Sequence, residues 1–437
     1  MSKFAIRVFG CQMNVYDGDR LRTALVHMGW SETEDTEADI VVLVTCSIRE
    51  KAEQKVVSEI GRYDASFRKG GSPIIALVGC MAQRTGESLA KKFKCIKVVA
   101  GPRHLGLVPQ AAADSLADGT PRFFMDDDPR ALTDLNVTPT ERLNRCKAYV
   151  TITYGCDRFC SYCIVPYVRG RLQSRAHGDI LSEVRTLVET GVTEITLLGQ
   201  NVDAYGKDVK DGYGFASLLK DVSRIDGISR LRFATSHPKD FDEDILDVMA
   251  STPSICRAIN LPVQSGSDRI LKEMNRGYTA EQYLSLVRDI RAALPDVSLT
   301  TDLIVGFPTE TEQDFRDSYN LLREVRFDIV HTAAYSPREG TRAAVMDGQI
   351  DNRVKAARLN EINEMQSALA RELNEEYTGR ELEILVDAPA PRGEGLMQGR
   401  TMSDTVVILP GPSDDTGRIL KVRVTRASHW SLEGERI

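Results

Sequence analysis

The stretch Ala148-Tyr-Val-Thr-Ile-Thr-Tyr-Gly-Cys-Asp-Arg-Phe-Cys-Ser-Tyr-Cys163 decides how this chain is built. Its first six residues are mostly aliphatic, aromatic or β-branched and predict a strand over Ala148–Thr153. The strand runs into Cys156, Cys160 and Cys163, spaced Cys-x3-Cys-x2-Cys. Three soft thiolates in one tight loop can each hold an iron of a [4Fe–4S] cluster and leave its fourth iron open. A zinc site completed by a histidine is the alternative, with His177 the nearest histidine in sequence.

Downstream the strand–helix alternation repeats. Strands are expected at Thr193–Leu198, Arg230–Thr235, Cys256–Leu261, Ser298–Val305 and Asp328–Tyr335, with helices such as Ile180–Glu189 and Glu312–Val325 between them. Aliphatic strands without strict alternation suit a sheet buried on both faces. Six such units point to a partial (βα) barrel with its functional residues in the loops after the strands. Asn352–Tyr377 reads as one amphipathic helix, with Val354, Leu359, Ile362, Met365, Leu369 and Leu373 near one face and Gly379 to end it. Beyond it, Glu383–Val386, Asp404–Leu409 and Ile419–Val424 are short strands between Gly and Pro clusters, the texture of a small all-β barrel.

Upstream, one pattern occurs three times. Phe4–Phe9 runs into Gly10-Cys11 and a helix over about 18–29. Asp39–Val44 runs into Thr45-Cys46 and a helix over 48–62, and Pro73–Val78 into Gly79-Cys80 and a helix through Ala90. This predicts an open parallel α/β sheet, whose ligands bind beyond the carboxyl ends of the strands. Cys11, Cys46 and Cys80 all sit at that edge, so they can meet in space as a second three-thiolate site. A strand-end cysteine as a small buried hydrophobe is the plainer reading. Gly10 and Gly79 permit close backbone approach. Residues 111–141 read as a connection, with an acidic loop over Met125–Pro129 and prolines at 121, 129 and 139. Cys95, Cys146 and Cys256 match no motif and read as core or incidental thiols.

A chain of 437 residues is too long for one core. No apolar run is long enough to span a bilayer, and Phe4–Phe9 reads as a strand rather than the apolar segment of a leader. A cytosolic, reducing location is therefore expected, where nine cysteines serve as ligands or buried thiols. The net charge of −7 excludes nucleic-acid binding through bulk charge and leaves local patches. One patch is Arg158, Arg169, Arg171 and Arg175 around the compact triad. The other is Arg418, Lys421, Arg423 and Arg426 near Trp430. Either also reads as ordinary solvated surface.

With Tyr162 before its third cysteine, Cys156-x3-Cys160-x2-Cys163 resembles the cluster loop of the radical S-adenosylmethionine superfamily. The resemblance implies that S-adenosylmethionine binds at the open iron and is reductively cleaved to a 5′-deoxyadenosyl radical. It also implies cofactor contacts at the barrel mouth: Gln200 in Leu198-Gly-Gln-Asn201, Ser236 in Thr235-Ser-His-Pro238, Gln264 in Leu261-Pro-Val-Gln-Ser-Gly266, and Asp302 in Asp302-Leu-Ile-Val-Gly-Phe-Pro308. As a plainer alternative, Ser236 or Asp302 only caps the next helix. Gly10-Cys11-Gln-Met-Asn14, Thr45-Cys46-Ser-Ile-Arg-Glu50 and Gly79-Cys80-Met-Ala-Gln-Arg84 resemble the N-terminal domain of the methylthiotransferases of that superfamily. This implies a second [4Fe–4S] cluster on Cys11, Cys46 and Cys80. The last segment resembles the TRAM domain, a small RNA-binding barrel. The implied domains are 1–120, 142–373 and 376–437.

Within the family, Gln12-Met-Asn14 and Ser47-Ile-Arg-Glu-Lys-Ala52 resemble the branch that acts on isopentenylated (dimethylallyl) adenosine in tRNA. The implied reaction replaces C2–H of N6-isopentenyladenosine at position 37, next to the anticodon, giving 2-methylthio-N6-isopentenyladenosine. One S-adenosylmethionine would methylate sulfur on the scattered-triad cluster, and a second would supply the radical that activates C2. The cofactors carry this chemistry, so no protein general base is assigned. The substrate would lie between the clusters, so the N-terminal domain should pack on the barrel mouth. The implied partners are a tRNA anticodon loop, an external electron donor and a sulfur source, with no membrane and a monomeric protein. Two other readings stand beside this one. The first is methylthiolation of a ribosomal-protein side chain or of threonylcarbamoyladenosine. The second is a non-enzymatic iron–sulfur or zinc RNA-binding protein.

Overall fold

The computed structural model describes residues 1–47, 50–125, 128 and 130–437, without the side chains of 50–52. Ile48 and Arg49, which belong to the family word Ser47–Ala52 and to the expected start of the second helix, lie outside the described residues. So do Asp126, Asp127 and Pro129 of the expected acidic loop.

The first unit is a parallel sheet in the strand order Ser31–Glu32, Lys3–Phe9, Ile40–Thr45, Ile74–Gly79, Ile96–Ala100, Arg122–Phe124. Every residue of Ile40–Thr45 and Ile74–Gly79 is buried, because helices cover both faces. Leu21, Leu25, Val108 and Ala112 pack on one face, and Val56, Ile60 and Met81 on the other. The first helix, Gln12–His27, starts earlier than its pattern predicted, directly after Cys11. Gly18 is thus no boundary. It lies inside the helix, where a side chain would come within 2.9 Å of Val8 on the adjoining strand.

The stretch 111–141 is a connection only in part. Val108–Asp118 is a helix with proline in its first turn, ended by Gly119 in the left-handed conformation. Arg122–Phe124 then completes the sheet, past the expected boundary at 120. Small residues hid this helix: it presents Ala111, Ala112 and Ser115 to the core rather than large aliphatics.

Six parallel strands follow in two hydrogen-bonded groups. Lys147–Thr151, Glu194–Leu198 and Arg230–Phe233 form one, and Ala258–Asn260, Ser298–Val305 and Ile329–Ala334 the other. The bridge Leu231–Ile255 joins them into the expected partial barrel around the largest apolar core. The helix Asn352–Glu375 closes it, but its buried face is more polar than expected. Lys355 Nζ donates to Tyr335 O (3.0 Å), Arg358 Nη1 pairs with Glu310 (2.6 Å), and Gln366 Nε2 donates to Phe327 O (3.0 Å). Val354, placed on the apolar face by its spacing, is 40% exposed.

The last unit is a closed five-stranded barrel, Glu381–Pro389, Leu396–Arg400, Val406–Pro410, Leu432–Arg436, Ile419–Ala427. Two of its strands, Leu396–Arg400 and Leu432–Arg436, lay outside the sequence expectation because Gly399 and Gly434 interrupt their alternation. It docks at the amino-terminal ends of the larger barrel's strands. There Lys147 Nζ meets Asp387 at 2.5 Å and Arg232 Nη2 donates to Thr401 O at 2.8 Å. The cysteine loops lie at the opposite end. Among the described residues, no helix is long and apolar enough to cross a membrane.

Candidate active site between two cysteine triads

Parallel register gathers the scattered triad. Phe9 lies opposite Thr45, and Thr45 opposite Gly79, so the three chains leave the sheet side by side. Glycine is required at two of these exits. Gly79 has φ +100°, and a Cβ there would stand 2.4 Å from Thr45 O; at Gly10 it would stand 2.5 Å from Cys46 Cβ. Asn14, one turn into the first helix, ties two exits together. Its Nδ2 donates to Thr45 O at 2.9 Å, and its Oδ1 lies 3.0 Å from Cys11 Sγ. A hydrogen bond with Cys46 holds the Cys11 thiol at about 5, aided by Arg169 and by the N–H groups of Asn14 and Met13, while burial opposes it. Burial pushes Cys80 up, against the pull of Arg169.

The compact triad occupies one loop between the strand Thr153–Tyr154 and the short helix Val165–Val168. The Cys163 N–H donates to Cys160 O at 2.9 Å. Ser161 Oγ donates to Glu273 O at 2.8 Å and so pins the loop to the barrel. Arg276 is buried beneath it: Nη1 lies 3.4 Å from Cys160 Sγ, Nη2 donates to Pro262 O (2.7 Å) and Nε to Tyr278 Oη (3.0 Å). Burial raises Cys156 to about 11 and, with the neighbouring Cys160, Cys163 to about 12. Thiols so buried ionise when a metal supplies the opposing charge.

The two sites face one junction. Met13, two residues after Cys11, packs with Tyr16 and Leu198, and Cys80 packs with Ile164 and Val168 of the compact-triad segment. Arg169 Nε donates to Cys80 Sγ at 3.2 Å, and Gln200 Nε2 donates to Met13 Sδ. The N-terminal unit therefore packs on the barrel mouth, as expected. Arg169 Nη2 and Gln200 Oε1 are buried there without hydrogen-bond partners. Three thiols per site and orphaned polar atoms between them fit a pair of iron–sulfur groups. Among the described residues, no group of three or more His, Cys, Asp or Glu side chains is close enough for a single metal ion. A four-iron cluster instead spreads its thiolates over separate irons.

Comparison with known proteins agrees with this architecture. Residues 150–322 match the radical SAM superfamily, residues 3–101 the uncharacterized protein family UPF0004, and residues 375–437 the TRAM domain. The tRNA-2-methylthio-N(6)-dimethylallyladenosine synthase of Moorella thermoacetica is 42% identical, over 99% of this chain and 98% of its own. That of Aquifex aeolicus is 43% identical over 99% and 98%. This chain belongs to their family, the radical SAM methylthiotransferases. A radical S-adenosylmethionine methyltransferase from Kitasatospora setae shares the fold at TM-score 0.57 and 15% identity, covering 91% of this chain and 78% of that one.

In this methylthiotransferase, the four candidate cofactor contacts behave differently from one another, and Asp302 lies within the strand Ser298–Val305 rather than at its end. Gln200 is engaged by the N-terminal unit through Met13. Ser236 Oγ turns onto the buried carboxylate of Asp203 at 3.1 Å. Gln264 is held at φ +69° and Thr235 at φ +76°, two strained positions ending successive strands, a pattern typical of functional sites. Asp302 accepts from Asn260 Nδ2 at 3.1 Å, and neither Ser236 nor Asp302 caps a helix.

The arginines of the first patch are each engaged within the protein. Arg158 is bound to Asp240 (2.6 Å), Arg175 to Glu183 (2.7 Å), and Arg169 is buried against Cys80; Arg171 is exposed but bidentate on Asp157 (2.7 and 3.2 Å). For Arg158 and Arg169 folding supplies the partner from 82 and 89 positions away, which spacing alone does not reveal. At the other patch Arg418, Arg423 and Arg426 carry surface pairs to Asp415, Glu381 and Glu433. Cys95, Cys146 and Cys256 are buried core thiols, as expected. Arg276 and Asp203 were not singled out from the sequence, and Asn14 only as part of the words around Cys11. The only signal for Arg276 was its place in Asn275-Arg-Gly-Tyr278, between the helices Asp268–Glu273 and Ala280–Ala293.

Proposed function

We propose that this chain methylthiolates tRNA, replacing C2–H of an N6-isopentenylated adenosine at position 37 with a methylthio group. The observation that carries this reading is the similarity, over nearly the full length of both chains, to proteins named tRNA-2-methylthio-N(6)-dimethylallyladenosine synthase. Cys156, Cys160 and Cys163 would hold the cluster that binds S-adenosylmethionine, and Cys11, Cys46 and Cys80 a second [4Fe–4S] cluster. When bound, these groups supply the one-electron chemistry that an unactivated aromatic C–H requires.

The chain's own residues bind, orient and exclude water. Gln264, Ser236 and Asp302 line the mouth for the cofactor, with Asp203 fixing Ser236. Arg276 sets a positive charge against Cys160. The packed junction of Met13, Tyr16 and Leu198 shields the space between the sites from solvent. RNA is held through the TRAM barrel, where Trp430 is 71% exposed and free to stack on an unpaired base. An anticodon loop is the single-stranded target, and the electron donor and sulfur source are external.

Two variants test the division of labour. Cys160→Ala should abolish S-adenosylmethionine cleavage. Cys46→Ala should abolish methylthiolation and leave cleavage intact. Loss of cleavage in Cys46→Ala, with fold and compact cluster retained, would contradict the proposal.

A further inference from the structure

Each triad is faced by one buried arginine, but the two arginines are not equivalent. All three nitrogens of Arg276 are engaged. Arg169 reaches across the domain boundary to the other triad. It follows the barrel's short helix, six residues after Cys163, with its backbone N–H on Val165 O at 2.8 Å. Its Nε donates to Cys80 Sγ at 3.2 Å and its Nη1 to Met13 Sδ at 3.8 Å, while Nη2 is buried without a hydrogen-bond partner.

The nearest carboxylate does not account for this pose. Asp17 Oδ2 stands 3.8 Å from Arg169 Nη2, and Asp17 is shared with Arg20 at 4.0 Å. An arginine placed to pair with Asp17 would lay its fork on the carboxylate with two short bonds. This one turns Nε onto a sulfur and keeps a donor free. A guanidinium that is only 6% exposed and so weakly paired is stable when further negative charge arrives beside it. Three cysteines around the Cys80 contact can supply that charge once ionised and metal-bound.

We propose that Arg169 is a positioning residue that carries the counter-charge of the group held by Cys11, Cys46 and Cys80. It favours the more reduced, more negative state of that group, since local charge and hydrogen bonds to sulfur set the potential of an iron–sulfur site. It does so from the compact-triad segment, so that seating the N-terminal domain and tuning the second site are one contact. This rests on the two-cluster reading above.

The test is an EPR-monitored redox titration of the full-length, cluster-loaded protein, in which each reducible cluster takes one electron from dithionite. The compact-triad signal is identified by its change on adding S-adenosylmethionine. Arg169→Met should move the potential of the scattered-triad cluster to more negative values and leave the compact one in place, while Arg169→Lys should stay near wild type. An unchanged scattered-triad potential in Arg169→Met overturns the proposal. If the Met variant fails to load that cluster, the Lys variant decides: loading supports charge, and failure of both means that shape alone matters and the proposal falls. Iron content of the wild type is read separately. A wild type holding one cluster defeats the two-cluster reading itself.

Discussion

Tyr16 Oη, on the first helix of the N-terminal domain, donates to Glu183 Oε1 on the first long helix of the barrel at 3.0 Å. Arg175 completes the group, 2.7 Å from Glu183 Oε2 and 3.2 Å from Tyr16 Oη. Tyr16 and Glu183 are buried, so each bond lost leaves an unsatisfied partner. Tyr16→Phe removes one hydroxyl without changing shape. It should cost about 1–3 kcal/mol, read as a lower thermal midpoint of the purified protein. An unchanged midpoint would mean that this buried bond adds nothing to the packing of the two domains.

Gly79→Ala should act on one cluster only. The new Cβ would meet Thr45 O in a backbone conformation that disfavours side chains, a cost above about 1 kcal/mol. The exit strand must shift, and Cys80 with it. Reconstituted protein should fall from about eight irons per chain to about four, with S-adenosylmethionine cleavage retained. Full iron loading in this variant would count against gathering by register.

Asp203 gives a pH signature of unusual sign. Burial raises its carboxyl from 3.8 to about 7, although the His237 N–H (2.9 Å) and Ser236 Oγ (3.1 Å) favour the charged form. Between those values the folded protein holds a proton that the unfolded chain has released. Stability from this group is therefore complete below 3.8 and lost as pH rises through about 7. Asp203→Asn should remove that slope, so that the stability of the variant relative to wild type rises with pH across the window. Parallel urea curves at several pH values measure it, and a constant difference would show that Asp203 does not titrate there.

These features differ in how far the chain announced them. The compact loop is local: three cysteines within eight residues of one another need only a turn to meet. The scattered triad was legible because equal strand exits in a parallel sheet place Cys11, Cys46 and Cys80 at one edge. Tertiary partners were not legible. Arg169 looked like surface charge because Cys80 lies 89 positions away, and Arg276 met Cys160 across 116. The helix Val108–Asp118 was missed for another reason, since its buried alanines carry little apolar periodicity.

The TRAM barrel should contribute affinity rather than chemistry. Trp430 lies beside His429, with ring centroids 5.2 Å apart, and packs on little else. Trp430→Ala should weaken binding of an anticodon stem-loop by about 1–3 kcal/mol and leave the thermal midpoint unchanged. Fluorescence titration at two salt concentrations checks this. Equal affinity for both proteins would remove Trp430 from the interface.

The identity of the reaction is read by nucleoside mass spectrometry of tRNA from a strain lacking this protein, with and without the gene restored. In the deletion strain 2-methylthio-N6-isopentenyladenosine should disappear and N6-isopentenyladenosine accumulate, and restoration of the wild type but not of Cys46→Ala should reverse both. Unchanged 2-methylthio-N6-isopentenyladenosine in the deletion strain would contradict the proposed reaction.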